Sequence, residues 1–210
     1  REQPDGEGDT PLHAAVVGGH SQVVELLLND RPAAAPPLGA LSGETGLTLL
    51  HLAIRHHHKA VARLLLEHGG APVDARALSG ETALHLACKF AWPGGVDMLL
   101  SCRADPNAQT PVEQFTPMYM ATFMMAGHPR LAQEYRRLMP LLLAAGATVD
   151  ATNAVGNTAA ECAEYFGLDG RRRAHPPREA PRSGAAAVGG EHTPAGTMPT
   201  SPPVGSEAGG

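Results

Sequence analysis

A short phrase occurs five times along this chain of 210 residues, and its spacing limits the folds that the chain can adopt. The copies are GDTPLHAA at 8–15, GLTLLHLA at 46–53, GETALHLA at 80–87, QFTPMYMA at 114–121 and GNTAAECA at 156–163. The threonines at the third position are separated by 38, 34, 34 and 42 residues. Self-similarity at a period of about 20 to 50 residues is typical of stacked repeat proteins. The spacing therefore predicts an array in which each repeat packs on its neighbours.

Each phrase is typical of the start of a short helix. Threonine is a favoured N-cap residue because its hydroxyl accepts a hydrogen bond from a backbone N–H of the first turn. Pro11 and Pro117 follow at a position where no amide is needed. A second apolar segment follows each of the first four phrases: VVELLL at 23–28, VARLLL at 61–66, VDMLL at 96–100 and MPLLLAA at 139–145. These segments predict a second helix, and the turn-like residues after them predict connecting hairpin loops.

With these elements in place, the chain resembles the ankyrin-repeat family, whose pattern runs G-x-T-P-L-H-L-A-A-x-x-G-H, then V-V-x-L-L-L, then G-A-D-V-N-A. Residues 8–31 fit the pattern closely, and 46–76 and 80–108 fit well. Residues 114–151 fit with an insertion, and 156–167 match only the first helix. The resemblance implies an all-α solenoid of about four and a half helix-turn-helix repeats with connecting hairpin loops.

The repeats also predict domain boundaries. We expect an ankyrin-type array over 1–167 and a separate segment over 168–210. Within the array, the predicted repeats lie near 8–45, 46–79, 80–113, 114–155 and, as a partial copy, 156–167. The segment 168–210 is rich in Pro, Gly and Ala and has few large apolar residues, so it cannot bury enough surface to offset its ordering entropy. We therefore expect a disordered tail or linker, which leaves repeat five without a second helix.

Composition narrows the class of partner. The net charge of −5 offers no basic footprint for nucleic acid or an anionic membrane surface. Apolar runs stay well short of the 18 or so residues of a membrane span. Three scattered cysteines suit a reducing compartment. We expect an intracellular protein, cytoplasmic or nuclear, and, because the sequence begins with Arg1 rather than Met, a fragment of a longer one.

The sequence gives no sign of catalysis. It contains no G-x-G-x-x-G, P-loop, G-x-S-x-G or H-E-x-x-H pattern. His13, His51 and His85 belong to the repeated phrase, and the resemblance implies that such histidines form local hydrogen bonds. The run 56–58 is three consecutive histidines, which point in different directions from a helix. We therefore expect a protein that is not an enzyme, with no cofactor and no metal site.

The resemblance also implies a binding face. In ankyrin-like arrays the positions seven and eight after the threonine, and the one before it, face the concave side. All four phenylalanines of the chain fall at such positions. Exposed aromatic rings are common interface anchors, so we predict a partner-binding face; the alternative is that the rings pack on neighbouring repeats. The predicted binding residues are Arg55, His56, Lys89, Phe90, Phe115, Phe123, Met124, Tyr165 and Phe166.

These positions describe a groove that is basic towards repeat two and aromatic towards repeats four and five. Such a groove suits a protein partner that presents an extended or helical peptide with apolar anchors and some acidic character. We expect the chain to be a monomer, and we expect neither nucleic acid nor membrane as a partner.

Repeat four carries an insertion of about nine residues between Thr116 and Gly146. It predicts a lengthened second helix that Pro140 kinks or divides. This helix is either a bent element with no role or a docking ridge that bears Tyr135, Arg136 and Arg137. Two further departures, Arg31 and Arg103, stand where the family usually has Gly after the second helix, and they predict a different chain exit there.

Three weak modification signals complete the candidate residues. Asn107 follows Asp105-Pro106 in a context that resembles asparagine hydroxylation of ankyrin hairpins, although an ordinary hairpin asparagine has the same sequence. Thr193-Pro194 and Ser201-Pro202 resemble proline-directed phosphorylation sites, which are common by chance in such tails.

The function predicted from these features is a non-catalytic protein–protein interaction module. One alternative is the targeting or substrate-receptor arm of a larger protein, for example a ubiquitin ligase or a MYND-finger protein. The segment NAVGNTAAECAEYFG at 153–167 resembles the last ankyrin repeat of MYND-finger proteins. Another is an inhibitor of Rel-type transcription factors, which GDTPLHAAVV at 8–17 resembles. A structural spacer is the remaining alternative.

Overall fold

The computed structural model describes residues 10–30, 36–43, 45–67 and 70–166. Within these ranges the chain forms nine α-helices, a single 3-10 turn and only isolated β-bridges. The predicted all-α repeat fold is confirmed. The helices are α1 (Pro11–Val17), α2 (Ser21–Asn29), α3 (Leu49–Arg55), α4 (Lys59–Glu67), α5 (Ala83–Lys89), α6 (Pro93–Ser101), α7 (Pro117–Gly127), α8 (Ala132–Ala144) and α9 (Ala159–Tyr165), with the 3-10 turn at Pro129–Leu131 between α7 and α8.

The helices stack in two rows. The first helices of the repeats, α1, α3, α5, α7 and α9, each contact the next first helix, and the second helices, α2, α4, α6 and α8, do the same. The core lies between the rows, where Ile54, Leu65, Leu99 and Leu138 are completely buried. Each such side chain contributes roughly 1.5–3 kcal/mol by leaving water. The array is therefore stabilised by contacts between neighbouring repeats.

A threonine and the residue three positions later begin each first helix. In repeat two, the Thr48 N–H and hydroxyl lie 3.4 and 2.7 Å from Nδ1 of His51. The same pairing joins Thr82 to His85. In repeat five, Glu161 takes the place of the histidine, and its Oε2 accepts the Thr158 N–H at 2.8 Å. The repeated phrase thus forms a reciprocal capping box at these helix starts.

Hairpin-like loops connect the repeats. Isolated antiparallel bridges join Arg76 to Thr82 and Thr152 to Thr158. Two residues before the N-cap threonine the backbone is left-handed in each of the four described loops, at Gly46, Gly80, Gln114 and Gly156. The hairpins also bond to one another, because Arg76 Nη1 donates to the carbonyl of Gly80 at 2.9 Å and to that of Gln109 at 2.8 Å.

The insertion in repeat four is divided between its two helices. α7 has 11 residues where α1, α3 and α5 have 7, and α8 has 13 where α2, α4 and α6 have 9. Pro140 lies inside α8 but does not divide it. Pro140 and Arg136 are both exposed, so the carbonyl that loses its helical partner lies on the solvent side. Leu138 and Leu142, fully buried on either side of Pro140, anchor the helix.

The expectation of a different chain exit at Arg103 is wrong. Arg103 adopts a left-handed conformation (φ 65°), as Gly146 does after α8 (φ 87°). The arginine therefore keeps the family's exit geometry and bears the strain, roughly 1–2 kcal/mol, that a side chain incurs there. Arg31, the predicted tail 168–210 and the place of a second helix in repeat five lie outside the described residues.

Candidate functional site

Four aromatic rings of repeats four and five lie together; we call Phe115, Phe123, Tyr165 and Phe166 the aromatic cluster. The ring centroids of Phe115 and Phe123 are 6.1 Å apart, and those of Phe123 and Phe166 are 6.5 Å apart. Tyr165 meets Phe166 edge to face at 4.9 Å. The rings are half-buried, and the three phenylalanines pack against the core. The sequence positions thus meet as a continuous strip that keeps part of each ring accessible.

Phe90 and Met124, the other two apolar residues of the predicted face, are not part of the aromatic cluster. Phe90 is the C-cap residue of α5, and Met124 lies in the additional turn of α7. Both side chains are half-buried and pack against the core. Among the described residues, the recorded ring contacts link Phe115, Phe123 and Phe166 but not Phe90. The expected anchors therefore form a cluster of three phenylalanines and a separate fourth ring.

The expected basic end is weaker than its sequence indicates. Lys89 Nζ forms an ion pair with Glu81 Oε1 at 3.0 Å, so its charge is partly compensated. Burial, followed by the nearby charge of Arg55, lowers the pKa of His56 below 6.5, which leaves its imidazole neutral at pH 7. Arg55 is exposed at the end of α3. It is the residue of the three that brings an uncompensated positive charge to this end.

The histidine run after α3 links repeats rather than gathering around one point. His57 stacks on Trp92 of the next repeat, with centroids 4.9 Å apart and planes 4° apart. His58 Nε2 lies 2.9 Å from the carbonyl oxygen of Val17 in the preceding repeat. In the ranges that the structure describes, no group of three or more His, Cys, Asp or Glu side chains is placed to hold a metal ion.

The predicted docking ridge needs a correction. Tyr135 is only 1% exposed, and its hydroxyl donates a hydrogen bond of 2.8 Å to the carbonyl of Lys89. It is therefore a core residue, because the additional turn of α8 directs it inward. Arg136 and Arg137 are exposed, and Arg137 pairs with Glu134 at 3.0 Å. Two of the three ridge residues remain available on the surface of α8.

Asn107 is a structural link between two hairpins. Its Nδ2 donates to the carbonyl of Gly146 at 3.0 Å, and its Oδ1 accepts from the Thr148 N–H and hydroxyl, both at 2.8 Å. Its own N–H donates to Asp105 Oδ1 at 2.9 Å. Modification of this side chain stays a prediction. The other two candidates, Thr193 and Ser201, lie outside the described residues.

Buried titratable groups in the array are held in their neutral forms. Burial raises the pKa of the Cys88 thiol well above its ordinary range and that of Cys162 to about 12. Burial also raises the pKa of Tyr135 to about 12. Both thiols stay protonated at neutral pH and are poor nucleophiles. These groups serve packing in the core.

Tyr119 and Asn153 adjoin the aromatic cluster, and neither was predicted from the sequence. Tyr119 replaces the histidine of the repeated phrase, and its ring stacks on Phe115 with centroids 4.7 Å apart. Asn153 Nδ2 donates to the Tyr119 hydroxyl at 3.1 Å. This pair supports the cluster from below. The replacement of His by Tyr inside a repeated phrase was the sequence signal for it.

Within the described ranges, the structure contains no candidate for a membrane-spanning helix. No helix there has both the length and the apolar character required to cross a membrane.

Comparison with known proteins identifies the repeats. A family model described as Ankyrin repeats (3 copies) matches residues 1–77 and 33–110. Together these ranges cover more than half of the 210 residues. The matched region contains the first two predicted repeats and the third up to residue 110, and it ends ahead of the aromatic cluster.

Individual relatives share the array but are much longer proteins. The chain is 35% identical over 157 residues to the putative palmitoyltransferase ZDHHC13 of Danio rerio. The aligned region covers 74% of the chain and 22% of that protein. It is 33% identical over 118 residues to the nuclear factor NF-kappa-B p105 subunit of Mus musculus (56% and 11%). It is 32% identical over 149 residues to the B-cell lymphoma 3 protein of Homo sapiens (71% and 31%). The chain therefore spans less than a third of the length of each.

Proposed function

The chain belongs to the ankyrin-repeat family, and from that premise we propose that it is a non-catalytic interaction module that binds a protein segment across the ends of its first helices. Arrays of this kind build extended binding surfaces from stacked repeats. The fold alone does not select a partner. The side chains that this array carries therefore determine which partner it binds.

The aromatic cluster is the observation that supports this function. Its rings are already in contact, with centroids 6.1, 6.5 and 4.9 Å apart, so little side-chain entropy is lost when a partner covers them. The three phenylalanines rest on the core, and all four rings keep an accessible part, a condition typical of interface anchors. A partner side chain packed against the accessible parts of Phe123 and Phe166 removes apolar surface from water.

The partner that fits is an extended or helical peptide with apolar anchors. Two or three anchors contact the cluster, and Met124 adds adaptable apolar surface beside it. Arg55 favours an acidic residue at the other end of the segment, with a small contribution because it is a single exposed charge. We propose a cytoplasmic or nuclear location for this interaction, which the three scattered cysteines favour.

A peptide library displayed on phage and drawn from intracellular protein sequences tests the proposal. Residues 1–210 are used as bait, and selected peptides are titrated against the parent and a Phe123→Ala/Tyr165→Ala variant. We expect the variant to bind at least about tenfold more weakly, which corresponds to about 1.4 kcal/mol. A Val112→Ala/Leu131→Ala protein is the matched control, since these exposed apolar residues lie outside the cluster.

The far-UV circular dichroism and thermal midpoint of each variant separate binding from folding. If the double variant unfolds, Tyr165→Ala alone, at the edge of the cluster, replaces it. Selected peptides that bind the parent and the Tyr165 and Phe123 variants equally would contradict the proposed site.

A second candidate function is inhibition of a Rel-type transcription factor. The match to the NF-kappa-B p105 subunit favours it, together with the phrase at 8–17. A purified Rel-type dimer titrated with residues 1–210 tests it directly. Binding near micromolar affinity or tighter would support this candidate, and an absence of binding well above that concentration would eliminate it.

A further inference from the structure

The first repeat exposes apolar side chains on the side away from the second repeat. Val23 is 46% exposed and Leu26 is 65% exposed, and both lie on α2. Pro11 and Ala14 of α1 are also exposed. We call these four residues the N-terminal face. These four side chains are apolar, although the end of a repeat array normally needs a polar surface; the exposed charges next to them are Glu25 on α2 and Asp30 at its C-cap.

Equivalent positions in later repeats are covered. The residue six positions before the end of the second helix is Val23 in α2, and its counterparts Val61 and Leu138 are completely buried. Leu26, 65% exposed, corresponds to Met98 of α6, which is only 7% exposed, and to Leu64 and Leu141, which are half-buried. In the first-helix row, Ala14 corresponds to buried large residues: Leu52, Leu86 and Met120. The N-terminal face is therefore the surface by which later repeats pack on the repeat before them.

The last described helix, α9, has a different surface from that of the earlier first helices. On α9, Ala160 and Glu161 are exposed at positions where α5 buries Leu84 and His85 completely. A small residue and a carboxylate thus replace the large apolar residue and the buried ring. At these two positions α9 is less apolar than α5, whereas α1 and α2 have the composition of an internal repeat.

We propose that the N-terminal face binds a further helix pair of the same repeat type, supplied from outside residues 1–210, whose second helix extends the row of α2, α4, α6 and α8. The continuity of this row sets the shape of the partner: a helix of about three turns with a stripe of Leu or Val facing Val23 and Leu26. Residues 1–9 do not suffice, because they include no large apolar side chain and are shorter than a helix pair. A second copy fits poorly, because stacking end to end sets Glu161 against this apolar face.

A covalent stand-in for the helix pair tests the proposal. A copy of residues 46–79 is joined directly ahead of Gly8, in place of residues 1–7, within the full chain. This junction keeps the register of the native step from 79 to Gly80, since Gly8 and Gly80 both lie two residues before an N-cap threonine. We expect the thermal midpoint of the fusion to exceed that of the parent by about 5 °C or more.

A substitution in the N-terminal face separates a true interface from a general effect of added length. Leu26→Glu should lower the midpoint by less than about 2 °C in the parent, where the side chain is exposed, but by at least about 5 °C in the fusion. Leu131→Glu, at an exposed leucine near α8, is the control and should shift both proteins equally.

Equal effects of Leu26→Glu in the parent and the fusion, or no gain from the fusion, would overturn the proposal. Sedimentation of the parent at micromolar concentration tests the remaining possibility, that a second copy of the chain binds the N-terminal face. A dimer that Leu26→Glu dissociates would show that a second copy covers the face, which also overturns the proposal. A monomeric parent with strong dependence on Leu26 only in the fusion supports it.

Discussion

Nε2 of His85 lies 2.8 Å from the carbonyl oxygen of Phe115, a member of the aromatic cluster that lies 30 residues away. His51 makes the same contact with the carbonyl of Glu81 at 3.1 Å. Because Nδ1 of each ring accepts the N–H of its N-cap threonine, the proton resides on Nε2, which donates to the carbonyl. One imidazole thus caps its own helix and fixes the start of the next repeat.

These histidines predict that the array loses stability in mild acid. Burial lowers the pKa of His51 to about 4 and also lowers that of His85. In the unfolded chain a histidine takes up a proton near pH 6.5, so their contribution to the free energy of unfolding is complete above pH 6.5 and is lost as the pH falls towards 4. Each histidine contributes a slope of about 1.4 kcal/mol per pH unit within that window.

Urea unfolding at pH 7.5, 6.0 and 5.0 measures this slope. His51→Gln, which cannot titrate, should lower the free energy of unfolding at pH 7.5 but reduce its decline between pH 6.0 and 5.0 by about 1 kcal/mol. Equal declines in the parent and the variant would show that His51 is not held neutral in the folded array.

A pair of reciprocal substitutions tests the left-handed position in the hairpins. Gln114 has φ 53° where Gly80 has φ 80°. Because a side chain is strained in this region, Gln114→Gly should stabilise the protein by up to about 1 kcal/mol, measured by urea unfolding. Gly80→Gln should destabilise it by more, since a Cβ at Gly80 would also collide with Pro111. Destabilisation by Gln114→Gly would contradict this account.

The repeated phrase was sufficient to predict the fold but not the whole site. Its threonines predicted the helix starts, because capping depends on residues only three positions apart. Its register also selected Phe115, Phe123 and Phe166, since equivalent positions in stacked repeats become neighbours in space. The contact between Phe123 and Phe166, which lie 43 residues apart in sequence, is one that no local pattern encodes.

The position of Tyr135 could not be predicted from the register of the repeats. It lies in the additional turn of α8, which has no counterpart in the other repeats, so alignment of the repeats could not place it. Its spacing from Leu138 and Leu142, three and seven positions, does put all three on one face of a helix. That periodicity was the signal for burial. The ion pair of Lys89 with Glu81, by contrast, joins a helix end to the loop before the same helix and has no such local signal.

Removing the hydroxyl of Tyr135 should weaken the contact between repeats three and four. Tyr135→Phe keeps the buried ring but leaves the carbonyl of Lys89 without this donor. We expect a loss of about 1 kcal/mol in the free energy of unfolding. Arg136→Ala, at the exposed neighbouring position, is the control and should change the free energy of unfolding by less than about 0.5 kcal/mol. A loss no larger than that of the control would assign Tyr135 to packing alone.

Asn107 is expected to hold the hairpins after α6 and α8 together. Asn107→Ala removes its hydrogen bonds to the carbonyl of Gly146 and to the N–H and hydroxyl of Thr148. Because the side chain is only half-buried, water replaces part of this loss, and we expect a cost of about 1–2 kcal/mol. The local consequence is more specific: exchange of the Thr148 amide hydrogen should accelerate about tenfold, because this N–H donates to Asn107 Oδ1.

Asn107→Asp retains an acceptor at the same place and should preserve most of the protection of the Thr148 amide while it loses the bond to Gly146. Unchanged exchange at Thr148 in Asn107→Ala would show that the two hairpins are held together by their packing and not by this side chain.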